Sequence, residues 1–286
     1  MENFSSLEPT PAARITSVLN SLMPTERKVA ELILNQPEAA LEATAQEIAD
    51  LVGVGRSTVI RACQSFGYKG YPQLRVALAK QLAVPQIRPE DFDNSGYGQL
   101  LYDVHQLSEK LPQAISTVDQ ETYELVTGRL SESGRILCVA HGLSSSIALD
   151  LSMRLSSLGK QSEYIVDPIA EQIAARHLRE NDSVVVISGS GSNDISLRAA
   201  QAAKESGAKI IAITSFASSP LVSIADYSLV VSPITGGFQE ELEHTARINH
   251  FVLTSSLVTS IAALMGEESR RARELTLEVI SENLSD

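Results

Sequence analysis

Two rhythms of apolar residues divide the chain. Towards the N-terminus they recur at helical spacing: Ala45, Ile48, Ala49 and Val52 make one face, and Val59, Cys63 and Phe66 make another. After Gly134 the rhythm changes to short, continuous β-branched runs over Arg135–Ala140, Ser162–Val166, Ser183–Ser188, Lys209–Thr214 and Tyr227–Val231, alternating with amphipathic helices. Strands apolar at successive positions are buried on both faces, which predicts a parallel sheet covered by helices. Between these regions, Leu100, Leu101, Val104, Leu107 and Leu111, then Tyr123, Leu125, Val126 and Leu130, predict two helices broken near Pro112. The expected organisation is an all-α domain over residues 1–83, a linker over 84–96 containing Pro85 and Pro89, and an α/β domain over 97–286.

Local chemistry sharpens the first part into a helix-turn-helix. Thr44 and Glu47 have the spacing of a reciprocal capping box, so a helix starts there. Gly53 supplies a permissive backbone for a sharp stop, Val54 can plug the corner, and Gly55 sits at the cap of the next helix, which runs from about Arg56 to Phe66. If Val59, Cys63 and Phe66 face the core, Arg56, Ser57, Thr58 and Arg61 occupy the outer, N-terminal side, where a recognition helix meets base edges and phosphates.

Charge distribution supports that reading. From Leu51 to Pro89 there is no acidic residue, while Arg56, Arg61, Lys69, Arg75 and Lys80 are basic. Residues 1–83 are neutral overall, and the rest of the chain carries the entire net charge of -12. An acidic body repels DNA, so a DNA-binding chain must concentrate its cations on one surface. A start without a basic-then-apolar run, and no apolar stretch of the roughly 18 residues a membrane helix needs, predict a cytoplasmic protein that meets no membrane. Cys63 and Cys138 fall in apolar segments and are expected to be buried.

In an open parallel sheet, ligands bind beyond the carboxyl ends of the strands. Two of those turns are serine-rich: Ala140-His141-Gly142-Leu143-Ser144-Ser145-Ser146, before a helix expected near Ile147, and Ser188-Gly189-Ser190-Gly191-Ser192-Asn193. Glycines let backbone amides approach an anion, and hydroxyls and helix N-termini donate to it. Serines both donate and accept, which suits a phosphate monoester on a hydroxyl-rich body. There is no Gly-Lys-Ser/Thr, Asp194 stands where a dinucleotide fingerprint wants glycine, and no acid closes the next strand, so no cofactor is expected, and no metal.

Residues in both halves resemble one family. Thr25-Glu26-Arg27-Lys28-Val29-Ala30, Ile33-Leu34, Ile48-Ala49, Val54, Thr58-Val59, Arg61 and Gly67-Tyr68-Lys69-Gly70-Tyr71 are similar to the N-terminal domain of the RpiR transcriptional regulators. Leu158-Gly159-Lys160, Ile187-Ser188-Gly189-Ser190-Gly191, Ser206-Gly207-Ala208, Ile211-Ala212-Ile213-Thr214, Ser219-Pro220-Leu221 and Ala225-Asp226 resemble the SIS (sugar isomerase) domain of the same family, over about residues 121–265. The resemblance implies a flavodoxin-like, doubly wound sheet of five parallel strands and a regulator of carbohydrate metabolism that senses a phosphorylated sugar. It implies DNA contacts from Thr44, Arg56, Ser57, Thr58, Arg61 and Lys69, and ligand contacts from Ser144, Ser145, Ser188, Ser190, Ser192 and Asn193. Gly55 stands where the family usually has serine, Ala140 where a glycine is common, and Asn193 where threonine is usual. Arg247 resembles the family's arginine at its position.

SIS domains also occur in isomerases, so a sugar-phosphate enzyme using Glu241 and His244 as acid–base groups is the alternative. A solvated acidic helix start explains those residues equally well. One short helix reads too few base pairs for a specific site, so the expected partners are a double-stranded operator, a phosphosugar effector, and a second copy of the chain in a homodimer or dimer of dimers. Effector binding would then shift the relative placement of two recognition helices.

Overall fold

In a computed structural model, residues 8–82, 93, 95–233 and 246–284 are described. The chain folds as two units, one within residues 1–117 and 232–245 and the other within 118–231 and 246–286.

The first unit is helical: α1 (Pro11–Val18), α2 (Pro24–Asn35), α3 (Pro37–Glu42), α4 (Ala45–Val52), α5 (Arg56–Ser65), α6 (Tyr71–Leu82) and α7 (Gly96–Ile115). Ile15, Val29, Ile33, Ile48, Val59, Cys63, Phe66, Leu74 and Leu78 form one buried cluster, with Val54 packed against it from the corner between α4 and α5. The Tyr71 hydroxyl donates to the Ala40 carbonyl across that core. Pro112 does not break α7, which runs on to Ile115. The next helix starts because Asp119 accepts the amide of Thr122 at 2.8 Å as its N-cap. A proline so near the C-terminus forgoes only one intrahelical bond.

The second unit opens with α8 (Gln120–Glu132) and then alternates β1 (Arg135–Val139), α9 (Ser145–Ser157), β2 (Gln161–Tyr164), α10 (Pro168–Arg176), β3 (Ser183–Ile187), α11 (Asp194–Ser206), β4 (Lys209–Thr214), α12 (Pro220–Ile224) and β5 (Tyr227–Val230). It ends in α13 (Ala246–Met265) and α14 (Glu267–Glu282). All strand pairs are parallel, in the order β2-β1-β3-β4-β5, the flavodoxin-like arrangement. Residues of β1, β3 and β4 are buried almost throughout, whereas Gln161-Ser162-Glu163-Tyr164 form a partly exposed edge. Alternation along the strands sends Leu137, Val139, Val184, Val186, Ile210 and Ala212 to one face, packed on the alanines of α11.

Helix α13 corrects one expectation. Among the described residues, Arg247–Met265 is long and apolar enough to cross a membrane, with a mean hydropathy of 1.5. It packs on α8 and α9 and buries Asn249, His250 and Thr254 along with Leu253 and Leu257. A helix apolar all round is the form a core helix takes.

Candidate functional sites

The helix-turn-helix is built by its caps. The Thr44 hydroxyl accepts the Glu47 amide at 3.3 Å, and a Glu47 carboxylate oxygen accepts the Thr44 amide at 2.7 Å. The Thr44 amide and, after it, the Thr44 hydroxyl, both acting on the carboxylate, hold the Glu47 carboxyl below its usual range. Gly53 closes α4 at φ +68°, a left-handed conformation that a side chain would resist. α5 then begins at Arg56 after an extended Gly55 that offers no side-chain cap.

Arg56, Ser57, Lys69 and Thr44 are exposed. The Arg61 side chain is 60% exposed and lies 3.8 Å from Glu26 on α2. Thr58 departs from the expectation: it is 7% exposed, and its hydroxyl accepts from Arg61 Nη2 at 3.0 Å. The buried stripe of α5 runs through Thr58, Val59, Ala62 and Cys63. A pattern anchored on Val59, Cys63 and Phe66 alone overlooked Ala62 and the turn above it, so Thr58 supports Arg61 from the flank of the core. Burial pushes both the Cys63 and the Cys138 thiol up to about 12, so neither is reactive.

The serine loops follow β1 and β3, which are neighbours in the sheet. The first passes through Gly142 at φ +63° and a single 3-10 turn, so α9 starts at Ser145, earlier than Ile147. Ser144 is buried, and the half-buried Ser145 hydroxyl donates to the Ala140 carbonyl at 3.4 Å. In the second, Ser188 is buried, Ser190 and Asn193 are half-buried and Ser192 is exposed. The loop is tied to β4: the Gly189 carbonyl accepts from the Ser215 amide at 2.9 Å and the Thr214 hydroxyl at 3.0 Å. Gly191, at φ +61°, lies so close to Ser219 that a Cβ would collide with it. Asn193 caps α11, its side-chain oxygen accepting the amides of Ile195 and Ser196 at 3.1 Å each. Its NH2 group takes no part in that cap.

Four residues that the sequence reading did not single out as site residues join these loops. His141 Nδ1 meets Ser196 Oγ at 3.0 Å, and the Ser196 hydroxyl donates to Asn193 Oδ1 at 3.3 Å. His141 Nε2 lies 3.5 Å from Glu171 Oε1, and the Glu171 side chain is fully buried. The Ser219 hydroxyl is buried beside Gly191 without a hydrogen-bond partner. His141 stands inside the loop motif and was legible by position. Glu171, in the first turn of α10, reads in the sequence as an ordinary dipole-compensating carboxylate.

Neither loop contains lysine or arginine; its donors are hydroxyls, amides and the N-termini of α9 and α11. A separate surface hollow at the start of α8 is lined by Asp119, Glu121 and Glu124, which would repel a phosphate. Glu241 and His244 lie outside the described residues. Among the described residues, no cluster of His, Cys, Asp and Glu is arranged to hold a metal ion.

A helix-turn-helix joined to a parallel sheet with serine loops defines a class: regulators that pair a DNA-binding domain with a sugar-isomerase-type domain. Residues 11–85 match the helix-turn-helix domain of the rpiR family, and residues 129–265 match the SIS domain. The chain belongs to the RpiR family of transcriptional regulators. It is 28% identical over 279 residues to an HTH-type transcriptional regulator of Haemophilus influenzae, covering 94% of this chain and 96% of the relative. It is 29% identical over 258 residues to the HTH-type transcriptional regulator HexR of Pseudomonas aeruginosa, covering 88% and 89%. The fold is shared with the Vibrio vulnificus NanR protein, solved in complex with ManNAc-6P, at a TM-score of 0.60 and 22% identity, covering 97% of this chain and all of that one.

Proposed function

We propose that this regulator binds an operator through α5 and its flanks and that a phosphorylated sugar held by the two serine loops alters that binding. The observation that carries the sensor half is the pair of loops at the carboxyl ends of adjacent strands β1 and β3, both rich in hydroxyls and amides and without lysine or arginine. Ser144, Ser145, Ser188, Ser190, Ser192 and the Asn193 amide are its ligand contacts. The phosphosugar named with NanR agrees with this chemistry. On the DNA side the contacts are Arg56, Ser57, Arg61, Thr44 and Lys69, with Thr58 holding Arg61. The protein acts by binding rather than turnover, as the naming of its relatives as regulators supports. It works in the cytoplasm as a homodimer or dimer of dimers, because two recognition helices are needed to read a palindromic operator. A thermal-shift screen of phosphorylated sugars, followed by gel shift with any hit, tests the reading. A ligand at about one hundred times its Kd should add about 2.7 kcal/mol of stability. A screen without a saturable hit would defeat it.

A further inference from the structure

The sensor site poses an electrostatic problem. A phosphoryl dianion is to be held by loops with no lysine or arginine, yet immediately behind them lies a carboxyl group with no exposure at all. Neither oxygen of Glu171 has a hydrogen-bond partner, and His141 Nε2, likewise unsatisfied, lies 3.5 Å from its Oε1. Orphaned buried carboxyls are costly and rare, so this one calls for an explanation.

We propose that His141 and Glu171 form a proton-transfer pair that supplies the missing positive charge: when a phosphoryl dianion enters the serine loops, the Glu171 proton passes to His141 Nε2, leaving an imidazolium at the loops and a carboxylate behind it. One O–H bond breaks and one N–H bond forms, and no proton is taken from solvent. This deepens the phosphosugar reading and rests on it.

Geometry carries the assignment. His141 belongs to the first loop, and the bonds from its Nδ1 through Ser196 to Asn193 reach the cap of the second. The imidazole is 12% exposed and Glu171 not at all, so the charge on His141 arises on the ligand side. Nδ1 can donate to Ser196 in both protonation states, so Asn193 keeps its orientation while the charge appears. Burial alone sets the resting state, pushing Glu171 up to about 8 and His141 down, so without a ligand the proton rests on the carboxyl. The elements packed on α10 carry Asp194, Arg198, Lys204 and Glu205 on α11 and Arg135 and Cys138 on β1. Glu205 is paired with Arg176 and Arg135 with Glu163, and no neighbouring charge contributes to the shift of either His141 or Glu171. A pair neutral at rest asks little of an empty site, and a dianion favours its charged form.

The test uses the full chain labelled with 13C at histidine Cε1, titrated with inorganic phosphate and with glucose 6-phosphate at pH 7.5, and His141→Gln identifies the resonance. The expected result is a move of the His141 signal from the neutral to the imidazolium position on saturation, together with loss of the protonated-carboxyl infrared band. Glu171→Gln, isosteric with the protonated acid, should keep its fold, leave His141 neutral at pH 7.5 and weaken phosphate binding about tenfold, the size of one charge-assisted hydrogen bond. That loss should shrink as pH falls below the usual imidazole range, because burial holds His141 below it and the ring then takes its proton from solvent. A His141 that stays neutral with phosphate bound, or a Glu171→Gln that binds phosphate like the wild type, overturns the proposal. If binding vanishes in Ser190→Ala yet ignores Glu171→Gln, only the proton-transfer pair falls. If the wild-type chain binds neither probe, the phosphosugar reading falls with it.

Discussion

The two candidate sites meet anions in opposite ways. Around α5 the charges are permanent and exposed: Arg56, Arg61 and Lys69 stand in water, and Arg61 is only loosely balanced by Glu26. At the serine loops the donors are neutral, and of the ionisable pair beside them Glu171 is fully buried and His141 largely so. A polymer of phosphates is bound by displacing its counterions, which favours exposed cations and makes affinity depend on salt. A small dianion in an enclosed site is held by oriented dipoles, which salt screens far less. The contrast explains how a chain of net charge -12 can serve two anionic ligands.

The comparison can be broken or sharpened by substitution. The largest effect is expected from Glu171. Its proton is held to about pH 8 in the folded protein but leaves an unfolded chain near its ordinary value of 4.5. Ionisation therefore favours the unfolded state as pH rises from about 4.5 to 8, and the wild type should lose stability across that window. Glu171→Gln removes that loss, so thermal melts of the two proteins should differ most near pH 8, by a few kcal/mol as an order of magnitude, and converge near pH 4. Parallel curves would mean that Glu171 is already ionised at neutral pH.

Next in size, Ser190→Ala should weaken effector binding by about 1.5–3 kcal/mol, more than tenfold, while operator affinity without effector stays unchanged; calorimetry and fluorescence anisotropy read the two. Arg61→Ala should do the reverse. Operator affinity falls severalfold and the slope of log K against log salt drops by about one, with effector binding intact. The smallest effect belongs to Thr44→Ala, which removes a capping box and should cost about 1 kcal/mol of stability in denaturant melts of the full chain.

Much of this was written in the sequence, and the boundary of what was legible is physical. The five strands lay within a residue or two of their expected positions because continuous apolar runs leave few alternatives; β2, an edge strand of Gln161-Ser162-Glu163-Tyr164 with little apolar content, shifted most. The Thr44 box and the Gly53 stop were legible since capping is local chemistry. Thr58 was misjudged because one buried side chain in a short helix is decided by Ala62 and the neighbours of Arg61, which periodicity does not weigh. Glu171 was invisible for a stronger reason. Its burial depends on where β1 delivers His141, thirty residues earlier in the chain, and no local pattern encodes that meeting.

The central claim is that the serine loops govern the helix-turn-helix. The most direct measurement is operator affinity by fluorescence anisotropy at fixed salt, with and without a saturating phosphosugar from the thermal-shift screen, for the wild type and Ser190→Ala. The account predicts at least about a fivefold change in the wild type, the lower range of allosteric coupling, and its loss in the variant. Equal operator affinity with and without a phosphosugar that demonstrably binds would contradict it.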